Sequence, residues 1–206
     1  MVRLLLTAFE PFGGWPTNAS ALCLEQLLAV GPPAGLDVTA RIYPVHFEQT
    51  RKVLLDDLAQ RFDFTLHLGQ AGGSHQLRLE RTARNTGIDP HHPDPLILEP
   101  DGPHVVTSDL PLANWVELLI YEGHPATVSD DTGSYLCNAT LYWCLRNAEK
   151  QGLPAHSLFV HLPLDDSQST PSVAQPTYPA EQAAAAIRNI LGEIVNFVSA
   201  LQSNPK

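Results

Sequence analysis

Short runs of leucine and β-branched residues alternate along the chain with longer segments whose apolar positions recur every three to four residues. The first pattern predicts strands and the second predicts helices with one buried face. Residues 3–8 read as a buried strand. A helix over residues 18–30 follows, with apolar Ala21, Leu22, Leu24, Leu27 and Leu28, and then a second strand over 36–45. Residues 47–61 are expected to be helical, 64–68 to be a third strand, and 76–82 to alternate like a half-exposed strand. A compact helical face over 115–121 and a short strand over 126–129 come next. A helix over 134–151, a strand over 157–161 and an alanine-rich helix over 180–201 complete the order, with Gly152, Pro154 and Pro179 as delimiters. Such alternation predicts an α/β fold around an open, mainly parallel sheet. Residues 85–111 and 164–179 resist assignment, being crowded with proline and polar residues. Loops of that length usually serve as lids, binding loops or subunit contacts.

Composition narrows the picture. The 206 residues are enough for a single domain spanning 1–206, and 44% hydrophobic against 17% charged residues is the balance of a chain that folds alone. A formal net charge of −10 repels phosphate backbones, so neither nucleic acid nor an anionic membrane is expected as a partner. The apolar start of the chain is too short to span a bilayer and is ended by Glu10 and Pro11. Cys23, Cys137 and Cys144 are an odd set, which points to free thiols and a cytoplasmic setting rather than a disulfide framework.

Absences exclude whole chemistries. None of the three lysines follows a glycine, so there is no P-loop, and residues 69–73 lack the dinucleotide-binding glycine spacing. No His-Glu-x-x-His, paired Cys-x-x-Cys or Gly-x-Ser-x-Gly occurs, and adjacent His91 and His92 in a proline-rich loop read as solvated side chains rather than metal ligands. No metal or cofactor is expected.

What remains is a pattern of position. Polar or glycine-rich segments lie just past four predicted strands, at residues 7–14, 69–73, 129–133 and 161–163. In an open parallel sheet the carboxyl ends share one edge, where such folds bind ligands. Cys137 falls near the start of the fourth helix, where exposed N–H groups favour a thiolate and offer donors to an oxyanion. Its alternative is a buried core thiol. Asp130 and Asp131 are expected to cap that helix. Cys23 and Cys144 read as core packing. His161, at the end of a buried strand, is the best-placed base for a thiol, whereas His67 reads as a hydrogen-bonded core histidine. Glu80 suits the role of a carboxylate orienting that imidazole. Its alternative is a surface ion pair with Arg78 or Arg81.

Taken together, these segments resemble a known family. Thr-Ala-Phe-Glu-Pro-Phe-Gly-Gly at 7–14, Gly-Gln-Ala-Gly-Gly at 69–73 with Glu-Arg-Thr-Ala-Arg-Asn at 80–85, Gly-Ser-Tyr-Leu-Cys-Asn at 133–138 and Phe-Val-His-Leu-Pro at 159–163 look like the four blocks of the pyroglutamyl peptidase I family, in family order. The resemblance implies a three-layer α/β/α sandwich without a cofactor, commonly assembled as a homo-oligomer, dimer or tetramer. It implies a cysteine peptidase acting on N-terminally pyroglutamylated peptides, with Cys137 as nucleophile, His161 as base and then acid, and Glu80 orienting the histidine. It also implies a lactam slot built from Phe9, Phe12, Gln70, Tyr135 and Leu136. Such a slot must match an uncharged five-membered ring with apolar walls and a donor–acceptor pair. The resemblance breaks at residues 86–93, where many bacterial members carry an arginine and this chain has none, leaving Arg84 as the open substitute. Two other readings remain: a silent relative that only binds a lactam, and a different cysteine amidase.

Overall fold

The computed structural model describes residues 1–90, 92–153, 156–169 and 175–203. The elements are β1 (Val2–Phe9), α1 (Ala19–Val30), β2 (Leu36–Tyr43), α2 (Phe47–Leu58), β3 (Phe64–Gln70), β4 (Leu77–Glu80), β5 (Thr82–Arg84), β6 (Val105–Thr107), α3 (Leu112–Tyr121), β7 (Ala126–Ser129), α4 (Leu136–Lys150), β8 (Ser157–Leu162) and α5 (Ala180–Ser203). A single 3-10 turn lies at Asp166–Gln168. Among the described residues six strands form the main sheet in the order β2-β1-β3-β8-β4-β7. The first four are mutually parallel. β4 runs antiparallel to β8, and β7 is parallel to β4.

That reversal corrects one expectation. The carboxyl ends of β1, β3 and β8 share an edge, whereas β4 and β7 point the other way, so residues 129–133 do not leave from the same edge. Hydrophobic pattern alone does not encode strand direction. A second correction concerns residues 76–82, which are not one strand. The chain changes sheets at Arg81, whose N–H donates to Ser129 O at 2.7 Å in the main sheet while its carbonyl accepts from Ser108 N at 2.8 Å beside β6. β5 then pairs with β6 in a separate two-stranded ribbon. Both halves are extended, so period-2 alternation reads straight through the break.

Helices cover both faces, and the strands divide their residues strictly between them. Leu4 and Leu6 of β1, Leu66 and Leu68 of β3, Leu158 and Val160 of β8, and Leu77 and Leu79 of β4 pack into one aliphatic cluster with α1, α3 and α5. Each such side chain contributes roughly 1.5–3 kcal/mol of burial. By length and composition α5 is apolar enough to cross a membrane. Its apolar face, with Ile187, Ile190 and Ile194, is packed inside this cluster.

The opposite face is covered by α2 and α4 around Phe9, Phe47, Leu54, Leu141, Tyr142 and Phe159. There the alternate positions of the same strands carry Thr7, Thr65, His67, His161, Arg78 and Glu80. The candidate imidazole and carboxylate therefore lie on one side of the sheet, the side covered by α4.

Candidate active site

Strand register assembles the site. His161 of β8 lies directly across from Gly69 of β3 on one side and Arg78 of β4 on the other. Glu80, two residues beyond Arg78 on the same face, is opposite Phe159, which sets its carboxylate diagonally beside the His161 ring. His161 Nδ1 and Glu80 Oε1 are 2.7 Å apart. Glu80 is fully buried and His161 nearly so.

Cys137 reaches this row from above. It is the second residue of α4, which begins after Tyr135 with no side-chain cap. Its Sγ lies over Gly69: a Cβ built there would sit 3.1 Å from the sulfur and 2.6 Å from the Phe159 ring. Any side chain at position 69 would push the sulfur or the ring aside, so a glycine is required where the thiol comes down beside the histidine. Cys137 is close enough to His161 for its negative form to raise the imidazole pKa and is half-buried, while Cys23 and Cys144 are buried.

Electrostatics favour a charged imidazole. Burial opposes the charge on His161, but the negative forms of Cys137 and Glu80 on its two sides outweigh it and push its pKa up to about 9. An imidazolium between a sulfur and a buried carboxylate is the arrangement in which a thiolate is matched by an adjacent cation. The first-turn N–H groups of α4 have no acceptor within the helix and add the positive end of its dipole.

Beside the sulfur is a small, shallow cleft lined by Phe9, Phe12, Asn18, Val45, Gly69, Gln70, Tyr135, Leu136 and Cys137. The five residues expected to form a lactam slot thus converge on the expected thiol. Asn18, Val45 and Gly69 were not anticipated as part of its wall. Asn18 caps α1 by accepting from Ser20 N at 3.0 Å, and its Nδ2 donates to Glu10 O at 2.9 Å, tying the first motif block to the helix that follows. An N-cap signal precedes α1 in the sequence, but nothing local marks that residue as lining a cleft.

Other expectations change. Asp130 and Asp131 do not cap α4: Asp130 pairs with Arg81 through two hydrogen bonds, and Asp131 with Arg84 at 2.8 Å. Those guanidiniums hold both carboxyls below their usual range. Arg84 is therefore engaged at the surface. Asn138 of the third block is buried and holds α4 against β5, accepting from Arg84 N at 2.7 Å and donating to Arg84 O and Thr86 O. Glu80 is not in a surface pair, although Arg78 Nε lies 3.4 Å from its Oε1. His67 is a buried, hydrogen-bonded histidine as expected. Of the adjacent histidines, His91 lies outside the described residues and the His92 ring is bonded to Asp94 O.

Comparison with known proteins identifies the family. The pyroglutamyl peptidase family model (peptidase family C15) matches residues 2–196. The pyrrolidone-carboxylate peptidase of Streptomyces coelicolor is 34% identical over 201 residues, covering 93% of this chain and 91% of that protein. The Pyrococcus furiosus pyrrolidone-carboxylate peptidase is 30% identical over 190 residues, covering 86% and 88%. The crystal structure of pyrrolidone carboxyl peptidase from Fervidobacterium islandicum superposes with a TM-score of 0.88 at 32% identity, covering 95% of this chain and 99% of that one. With the match running through β4, α4 and β8, the elements that carry the carboxylate, thiol and imidazole, the chain belongs to the pyroglutamyl peptidase family of cysteine peptidases.

Proposed function

We propose that Cys137 is the nucleophile of this peptidase, His161 its general base and then acid, and Glu80 the carboxylate that fixes the imidazole. The row of Cys137 sulfur, His161 and fully buried Glu80, beside a cleft walled by Phe9, Phe12, Tyr135 and Leu136, carries the assignment. The Cys137 thiolate attacks the carbonyl carbon of the pyroglutamyl residue, forming an S–C bond and placing negative charge on the oxygen. Free N–H groups of the first turn of α4 offer donors for that oxygen. The C–N bond breaks as imidazolium His161 gives its proton to the departing amine, leaving a thioester. His161, now neutral, takes a proton from water as its oxygen attacks, and pyroglutamate and the thiol are released.

The slot also accounts for selectivity. Phe9 and Phe12 supply ring faces, Tyr135 and Leu136 the wall, and Gln70 a polar group for the lactam. A free, charged N-terminus placed there would be desolvated without a counter-charge, at a cost of ~1–3 kcal/mol or more. We propose further that residues 1–206 act as one domain in the cytoplasm, as a homo-oligomer, without nucleic-acid or membrane partners. The free thiols and the acidity of the chain support that setting.

The test is release of a fluorescent amine from pyroglutamyl, glutaminyl and prolyl amides. Turnover of the pyroglutamyl amide alone is expected. Lactam binding without turnover would replace this reading with a silent binder, and ammonia from free glutamine would replace it with an amidase.

A further inference from the structure

Gln70 is held in one orientation by a residue outside the four motif blocks. Its Oε1 accepts from the backbone N–H of Ala19 at 2.8 Å and from Nε2 of Gln168 at 2.7 Å. The oxygen and nitrogen ends of an amide are nearly isosteric, so partners decide which way it faces. Backbone groups cannot exchange roles, and Ala19 N–H demands an acceptor. Gln168 is pinned in the same manner at both ends: its Nε2 also donates to Thr17 O at 3.1 Å, and its Oε1 accepts from Asp165 N at 2.9 Å. Gln168 is only 1% exposed. Asp165 is anchored in turn, accepting from Ser167 N at 2.9 Å and from Ala180 N, the first residue of α5, at 2.7 Å. The acceptor end of Gln70 therefore faces α1 and the Asp166–Gln168 turn. Among the described residues its Nε2 has no protein partner, although Gln70 lines the cleft.

We infer that Gln168 is a positioning residue for the substrate ring: by donating to Gln70 Oε1 it keeps Gln70 Nε2 turned toward the cleft as the donor for the lactam carbonyl. This rests on the pyroglutamyl reading above. Without Gln168, Gln70 is held by one hydrogen bond and can rotate, setting its carbonyl against that of the lactam. Two acceptors would then face each other with no proton between them. The contact exists in the bound substrate and in the transition state alike, so its loss weakens binding without slowing the chemical step.

Two variants of the full chain test this. Gln168→Glu keeps the size and the acceptor for Asp165 N but offers Gln70 an oxygen, which favours the reversed amide. Gln168→Leu removes the donor, and with it the contacts to Thr17 O and Asp165 N. In both, KM for a pyroglutamyl amide and the competitive inhibition constant of 2-pyrrolidone are expected to rise together by about tenfold, the scale of one lost hydrogen bond. The value of kcat should stay within about threefold. The rate of Cys137 alkylation without ligand and the alkaline limb of the pH profile should not move, since neither involves the ring slot. Unchanged KM and inhibition constant, or a fall in kcat at constant KM, would overturn the inference. Failure of both variants to melt cooperatively would make Gln168 a stability residue and end it as well. Absence of pyroglutamyl turnover in the unmodified protein would instead sink the peptidase reading itself.

Discussion

Two cysteine–histidine pairs lie on the same face of the same sheet, their sulfurs seven residues apart on α4 and their imidazoles on adjacent strands, yet they are built for opposite tasks. At one end, half-buried Cys137 meets His161, and Glu80 stands behind the ring at 2.7 Å. Deeper in, Cys144 Sγ lies 3.2 Å from His67 Nε2, and the other partners of His67 are the hydroxyls of Thr7 and Thr65 at 2.7 and 3.2 Å. Burial drives the His67 pKa down to about 3 and the Cys144 pKa up to about 12, the latter despite hydrogen bonds to Thr65 and Ser157 that lower it. That pair is neutral. The first is poised to separate charge, because the negative sulfur and then the buried carboxylate hold a proton on its imidazole. The residue types are the same in both, so they do not decide reactivity. A carboxylate delivered by the antiparallel neighbour β4, together with an open side on the cleft, does.

The comparison breaks most sharply if the sulfurs are exchanged one at a time. Cys137→Ser should lower turnover of a pyroglutamyl amide by at least about 10³-fold, the scale seen when a member of such a unit is removed, whereas Cys144→Ser should keep activity within about threefold. Loss of equal size in both variants, read as kcat/KM on folded protein, would erase the distinction.

Removing the carboxylate asks for less. Glu80→Gln keeps a hydrogen bond to Nδ1 without the charge, and kcat is expected to fall by about 10²-fold. Because the negative carboxylate raises the imidazole pKa, its loss should also move the alkaline limb of kcat/KM to lower pH from its position near 9. A limb that stays in place would separate Glu80 from the titration of His161.

The smallest effect is on stability, and the two histidines should show it on opposite sides of neutrality. His161 has a folded pKa above its ordinary value of 6.5, so its contribution is complete below that pH and is lost as pH rises toward about 9. His67 has a folded pKa far below the same reference, so its contribution is complete above pH 6.5 and is lost as pH falls toward about 3. Denaturant melts of His67→Asn should therefore show a weaker loss of stability on acidification than the unmodified chain. Parallel curves would mean that His67 is not buried neutral.

The alternating strands and three-to-four-residue helical periods were legible from the chain because they depend on local geometry. So was the candidate chemistry at Cys137, His161 and Glu80, since the motif blocks lie at strand and helix ends. Arg81 could not be seen as the point where the chain leaves one sheet for another, because extended backbone looks alike on both sides. The roles of Asp130 and Asp131 were misjudged for a related reason: proximity in sequence suggests a cap, while the arginines that take them, Arg81 and Arg84, are brought in by the β5–β6 ribbon.

By itself, then, the sequence determined which residues alternate toward the core and which segments end in groups able to do chemistry, since both follow from bonds and side chains close along the chain. Only the folded arrangement decided that β4 runs against β8. That reversal sets Glu80 diagonally beside His161, and the parallel pairing of β3 with β8 puts Gly69 under the sulfur. Strand direction and register are settled by packing among distant segments, and a proton-holding carboxylate cannot be told from a surface one until that packing has removed it from water.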